Sequence, residues 1–265
     1  MIININTGPE MPIAVDTEQL PILFVCSHER SGTHFLMNTV AANTKYSVQP
    51  YINFDYVPLG NLVNFYSSQS VLNFATSLDQ LKSKEGRRYV SSIIKSHHTV
   101  ETFEQCFNNP RVALLYIHRN PLAVLHSFWA FLHNWEWREG PKSGNFRDFV
   151  LSPPEGQLMR YQHSSFDTMI ARWASHTSEW LKASETHENV TAVSFESLRS
   201  SPETCLRKIT NKLGVPMLPT FTEPSRDDYI KGANMAATAE QLLEVKEVLR
   251  AQLSKYPEAL KLLDR

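Results

Sequence analysis

Four short runs along this chain are apolar and rich in β-branched residues: ILFVC (Ile22–Cys26), VSSII (Val90–Ile94), VALLYI (Val112–Ile117) and VTAVSF (Val190–Phe195). None alternates cleanly between apolar and polar positions, so each reads as a strand covered on both faces, the pattern of a parallel sheet. Between the runs the period lengthens. Asn120 and Pro121 supply an N-cap and a first helical residue, and Val124, Leu125, Phe128, Trp129 and Leu132 then share one helical face. Another helix opens at Ser201-Pro202-Glu203, turns Leu206, Ile209 and Leu213 inward and closes at Gly214. Thr238 and Gln241 form a capping box ahead of Leu242, Val245, Leu249 and Leu253. Strand and helix in alternation predict an α/β fold, a doubly wound parallel sheet flanked by helices. The Pro153-Pro154-Glu155-Gly156 loop is too short to act as a linker between domains, so residues 1–265 are expected to form a single domain, with 1–20 as an N-terminal extension.

Two intervals depart from this alternation, residues 49–78 and 131–163. Tyr51, Phe54, Phe65, Tyr66, Trp135, Trp137 and Phe146 crowd them, among asparagine, serine and glycine. Most of these rings are expected to pack beneath loops. Long loops over a sheet edge are also where substrate pockets are built, so the two intervals are expected to line one.

Composition narrows the classes. Twenty-six basic side chains nearly cancel 27 acidic ones, so no broad nucleic-acid or membrane surface is expected, and any anion must be held by a local site. Cys26, Cys106 and Cys205 make no paired framework and have no metal-like spacing, which points to a reduced compartment. The start, Met1 and the residues after it, lacks a basic and then apolar leader, and no run approaches the roughly 18 apolar residues of a membrane span. A cytoplasmic protein is expected.

The chemistry begins where the first strand ends. LFVCSHERSGTHFLMNTV (Leu23–Val40) passes from strand to helix through Ser27-His28-Glu29-Arg30-Ser31-Gly32-Thr33. Ligands of open parallel sheets bind beyond the carboxyl ends of the strands, and a helix N-terminus there favours an anion. Gly32 lets the backbone come close, Ser31 and Thr33 offer hydroxyls, and Arg30 offers a charged fork. By itself the loop is equally an ordinary N-cap turn beside a surface arginine. It lacks the Gly-Lys-Ser/Thr of nucleotide hydrolases, and Arg30 follows Cys26 too closely for a phosphatase cradle. Two further strand ends carry cations: Lys95-Ser96-His97-His98 after VSSII, and His118-Arg119-Asn120-Pro121 after VALLYI, with Ser127 on the helix beyond. Three such ends on one rim suit a doubly anionic nucleotide and a proton acceptor.

These are the residues that carry a family resemblance. HERSGTHFL resembles the 5′-phosphosulfate loop of the sulfotransferases that use 3′-phosphoadenosine 5′-phosphosulfate; KSHH resembles their lysine–x–histidine segment; YIHRNPLAVLHS resembles their 3′-phosphate strand and helix. VSFESLRSSPETCLRKITNKLGVP and YIKGANMAATAEQ are similar, more weakly, to the family's adenine-side and late phosphate segments. The resemblance implies a P-loop-like sheet and a sulfuryl transfer that needs no metal. It also implies roles. Arg30, where the family has lysine, would meet the 5′-phosphosulfate with Ser31, Gly32 and Thr33. Lys95 would neutralise the bridging oxygen and His97 would take the acceptor's proton, with His98 as second choice and Glu29 as a distant third. Arg119 and Ser127 would hold the 3′-phosphate with Lys231 and Gly232, and Phe195 would lie near adenine. His34 and Phe35 stand at the adenine contact in place of the family's threonine and tryptophan. The remaining histidines, among them His176, are expected to cap or face solvent.

Lys95 to Glu104 spells the family's dimer motif, K-x-x-x-T-V-x-x-x-E, but at a catalytic strand end, where it reads as coincidence; the oligomeric state stays open. The acceptor is expected to be a small organic molecule carrying a hydroxyl or amine. Asp55, Glu136 and Glu139 could hold a cationic one such as an alkaloid, although solvated loop acids are the plainer reading. A nucleotide kinase with a degenerate phosphate loop, or a non-catalytic nucleotide-binding module, are the alternatives.

Overall fold

A computed structural model describes residues 20–55, 62–82, 92–134, 140–223 and 236–264. Its centre is a five-stranded parallel sheet. In chain order the strands are β1 (Ile22–Ser27), β2 (Ser47–Asn53), β3 (Ser92–Ser96), β4 (Val112–His118) and β5 (Val190–Ser194); in space they run β2-β3-β1-β4-β5. All four expected strands are present. The third extends past the expected Ile94 to Ser96, its expected first residues Val90 and Ser91 lying outside the described residues, and Phe195 leaves β5 to begin a helix. The strand the apolar pattern did not reveal is β2. It is polar, contains a proline and lies at the sheet's edge, the position where proline is tolerated.

Both faces of the sheet are covered, as the unbroken apolar runs require. Phe24, Cys26, Leu114 and Tyr116 face one layer, formed by α2 (Ser68–Lys82), a 3-10 turn (Val100–Cys106) and Trp180 of α5 (Met169–Thr186). Their neighbours Leu23, Val25, Leu115 and Ile117 face the opposite layer, formed by α1 (Thr33–Asn43), α6 (Phe195–Ser200) and α7 (Pro202–Leu213). A third cluster joins α3 (Pro121–Asn134), α4 (Phe146–Leu151), α5, α8 (Ala239–Leu253) and α9 (Pro257–Leu260) through Phe128, Phe146, Trp173 and Leu249. The capping box of Thr238 and Gln241 is formed, and Gly214 closes α7 in the left-handed conformation. Among the described residues no helix is long and apolar enough to cross a membrane.

The topology sets the position of the site. From β1 the chain passes over β3 to the edge strand β2, returns to β3, then crosses β1 to reach β4. The connection from β1 runs to one side of it and the connection from β3 to the other, so the rim beyond the carboxyl end of β1 is the switch point, where an open α/β sheet binds ligands.

Candidate active site

The loop after β1 is shaped for close approach. Arg30 holds the left-handed conformation with φ 66°, a strained choice for a residue with a side chain, and Gly32 follows at φ 100°. A Cβ on Gly32 would lie 2.4 Å from Cδ2 of Phe195, so the ring of α6's first residue can rest there only against glycine. Gly32 provides no side-chain cap to α1, and the first turn of that helix carries no acid. Its leading amides are therefore left for an anion.

A buried ion pair fixes the loop from behind. Glu29 accepts two hydrogen bonds from Arg172 of α5, at 2.9 and 2.8 Å, and Arg172 also donates to Gln162 at 2.8 Å. The His28 Nδ1–H donates to the Glu29 carbonyl at 3.0 Å, which leaves its Nε2 to accept from Arg172 at 2.8 Å. Burial by itself would raise the Glu29 carboxyl; Arg172 and His28 outweigh it and hold the group below the usual carboxylate range. Glu29 is thus a strut, and its expected place as a third candidate base is corrected. Neither Arg172 nor α5 was read from the sequence. Thr168 as N-cap, with Ile170, Trp173, Thr177 and Trp180 at helical spacing, was the signal that could have found the helix.

The three strand ends converge. Arg30 Nε donates to Ser127 Oγ of α3 at 3.1 Å, and its guanidinium lies 4.9 Å from the centre of the Phe131 ring. Arg119, just beyond β4, stacks over Phe195 at 4.5 Å. Phe35 meets the same ring at 5.9 Å. Burial, then the neighbouring charge of Arg119, lowers the Arg30 pKa from its ordinary value. Among the described residues no carboxylate forms an ion pair with either arginine, and the buried Ser31 Oγ has no hydrogen-bond partner. Two converging cations, a bare hydroxyl and an uncapped helix start form a cradle suited to an anion. Asn120 braces this corner: its side chain caps α3, its amide donates to Glu196, and its Nδ2 donates to the carbonyls of Leu262 and Leu263.

Beside the cradle stands an imidazole whose tautomer is fixed. His97 Nδ1 lies 2.9 Å from the main-chain oxygen of Ser27. A carbonyl can only accept, so Nδ1 carries the proton and Nε2 the lone pair. Ser27 Oγ lies 3.1 Å from the same nitrogen and 2.6 Å from Thr33 Oγ1, tying the imidazole to the loop. Burial, then Lys95, pushes the His97 pKa down, and Asp55 is the largest opposing influence. The ring therefore stays neutral, as a base must. His98 next to it is 1% exposed, hydrogen-bonded to Ser96 through Nδ1 at 3.0 Å and packed on Phe65. Burial takes its pKa down to about 4.

Several expectations are corrected by these contacts. The Asp55 carboxylate is not exposed to meet a cationic acceptor: it is buried, bonded to Lys95 Nζ at 2.5 Å and to the His97 amide at 2.7 Å. His176 is neither a cap nor on the surface; it is buried between the Tyr116 hydroxyl at 3.1 Å and the His97 carbonyl at 3.3 Å. Lys95 is buried at the site, in keeping with the expectation that its match to the dimer motif is coincidence. His34 lies half-buried against Tyr51, ring centres 5.7 Å apart. Lys231, Gly232, Glu136 and Glu139 lie outside the described residues.

Comparison with known proteins bears on the family and the fold. The family model described as the sulfotransferase domain matches residues 20–255. Mouse sulfotransferase SULT7A1 complexed with PAP has a TM-score of 0.54 at 14% identity, over 94% of this chain and 92% of that one. The sulfotransferase of Alicyclobacillus acidocaldarius gives 0.51 at 13% identity, over 91% and 96%. At such identities the structural likeness speaks for the fold, and the family match for membership.

Proposed function

The chain belongs to the sulfotransferase family, and from that premise we propose how its residues move a sulfuryl group from 3′-phosphoadenosine 5′-phosphosulfate to a hydroxyl or amine of a small organic acceptor. The donor supplies an activated sulfate whose phosphate is the leaving group. Such a transfer is in-line and loose, so positioning and charge neutralisation do most of the catalysis. Arg30, Ser31, Thr33 and the first amides of α1 hold the 5′-phosphate side, while Arg119 and Ser127 hold the 3′-phosphate. The bare Ser31 hydroxyl and the two converging guanidinium groups are what make the cradle fit this ligand. Lys95 neutralises charge as the sulfur–oxygen bond to phosphate breaks. His97 Nε2 takes the proton of the attacking group as the new bond to sulfur forms.

The observation that carries this reading is the tether between cradle and base. Ser27 joins Thr33 on one side and His97 on the other, and the carbonyl contact leaves Nε2 as the basic nitrogen. For the acceptor, support comes from rings supplied by both aromatic intervals. Tyr161 lies 6.0 Å from the His97 imidazole, and Phe65 lies 4.4 Å from His98. The Asp55 carboxylate is taken up by Lys95 and the His97 amide, so an acceptor that reaches His97 meets no free carboxylate from it. A neutral aromatic or polycyclic natural product therefore fits better than a cation.

The test is His97→Ala assayed by mass shift against a panel of phenols, alcohols and amines. Turnover should fall by on the order of 10²–10⁴. Binding of adenosine 3′,5′-bisphosphate, followed by calorimetry, should stay within about threefold of wild type. Undiminished sulfation by the variant would remove His97 from the role of base.

A further inference from the structure

Asp55 lies just past the edge strand β2, yet its carboxylate reaches the centre of the site. Each oxygen has its own task. Oδ2 takes the hydrogen bond from Lys95 Nζ at 2.5 Å and stands 3.8 Å from His97 Nε2. Oδ1 accepts the main-chain amide of His97 at 2.7 Å and stands 3.8 Å from His98 Nδ1. Phe54, the residue before it, is locked by its amide to the Lys95 carbonyl at 2.8 Å and by the ring of Phe24, 5.5 Å away. The carboxylate is thus held on a rigid stem, and among the described acids it alone touches both groups assigned to the chemistry.

We propose that Asp55 is a positioning residue of the transfer: one oxygen orients the Lys95 ammonium, the other fixes the His97 main chain, and the shared negative charge stabilises the imidazolium formed when Nε2 takes the acceptor's proton. The inference rests on the reading of His97 as the base. The other charged or titratable groups around that imidazole are Lys95 on β3, His98 after it, Glu29 and His28 on the loop after β1, His34 on α1, Tyr161 and, on α5, His176. Only Asp55 and Glu29 are acids, and Glu29 is committed to Arg172. The charge that favours a protonated His97 therefore comes chiefly from Asp55.

A carboxylate of merely structural use and one of this kind behave differently when neutralised. In Asp55→Asn the His97 imidazole should be harder to protonate, so its pKa, followed by the Cε1–Hε1 resonance and assigned with His97→Gln, should fall by at least one unit. Removing a negative charge beside the cradle should also leave binding of adenosine 3′,5′-bisphosphate unchanged or tighter, by up to about tenfold. Turnover of the best acceptor in the panel should nevertheless drop at least tenfold. A His97 pKa within 0.3 unit of wild type, or a nucleotide Kd weakened tenfold, overturns the proposal. Should the asparagine variant not fold, Asp55→Glu carries the test. It keeps the charge but breaks the two-point grip, so turnover should fall tenfold with the His97 pKa moved by less than half a unit; full turnover refutes the positioning role. Failure of the underlying reading is seen separately, as undiminished sulfation by His97→Ala.

Discussion

Replacing Gly32 by alanine tests whether the cradle is as tightly built as its geometry indicates. Two costs add at this position. The backbone sits at φ 100°, and a residue with a Cβ is disfavoured in left-handed geometry by about 1–2 kcal/mol. The new methyl would also lie 2.4 Å from Phe195 Cδ2 and 2.9 Å from Cε2, so the ring must move away from Arg119 or the loop must open. Overpacking of this kind costs about 1–3 kcal/mol. Together the penalty is about 2–5 kcal/mol, or roughly 30-fold to a few thousand-fold at 1.4 kcal/mol per tenfold. Because the free loop can relax and then be strained again by ligand, the loss is divided between folding and binding. The quantity to measure is their sum: unfolding free energy from urea titration plus the binding free energy of adenosine 3′,5′-bisphosphate from calorimetry. Gly214→Ala is the control. That residue has φ 65°, and a Cβ there would meet nothing within 4 Å, so it carries the backbone cost alone and leaves nucleotide affinity untouched. If Gly32→Ala lowers the sum no further than Gly214→Ala does, the close approach of Phe195 does not shape the cradle, and the loop is not built for close contact.

The remaining predictions concern the charges around that loop. Arg119→Ala should weaken adenosine 3′,5′-bisphosphate binding far more than binding of adenosine 5′-monophosphate in calorimetry; equal losses would remove Arg119 from the 3′-phosphate. Arg172→Met leaves Glu29 charged and buried, so urea unfolding should show a loss of about 3–5 kcal/mol, partly recovered by adding Glu29→Gln; a loss under 1 kcal/mol would contradict the strut. Burial holds the folded-state pKa of both His28 and His98 at about 4, against about 6.5 when unfolded. Their contribution is fully present above pH 6.5 and is lost as pH falls toward 4, because only the unfolded chain takes up those protons. Denaturation between these limits should show stability falling, with these two supplying up to about 2.7 kcal/mol per pH unit and the buried His34, His97 and His176 acting in the same direction; a flat profile would refute the burial of His28 and His98 together.

What the sequence determined by itself was everything decided within a few residues. The strands β1 and β4 were legible because their runs are apolar on both faces, β5 because its run is short and rich in β-branched residues, and the Asn120 cap, the Gly214 closure and the Thr238–Gln241 box because each is made by neighbours. Arg30, Gly32, Lys95, His97 and Arg119 could be singled out as candidates in advance, since each sits at the end of a recognisable strand. The polar edge strand β2 was hidden because its residues need bury only in part. The contacts that turn these residues into a site join positions far apart: Arg30 to Ser127, Ser27 to His97, Glu29 to Arg172, Asp55 to Lys95. No local pattern encodes such pairs, because the desolvation that forces a buried charge to find its partner exists only once the layers have closed. The tertiary structure alone therefore decided that Glu29 pairs with Arg172, that the Asp55 carboxylate contacts both Lys95 and His97, and that the proton of the His97 imidazole lies on Nδ1.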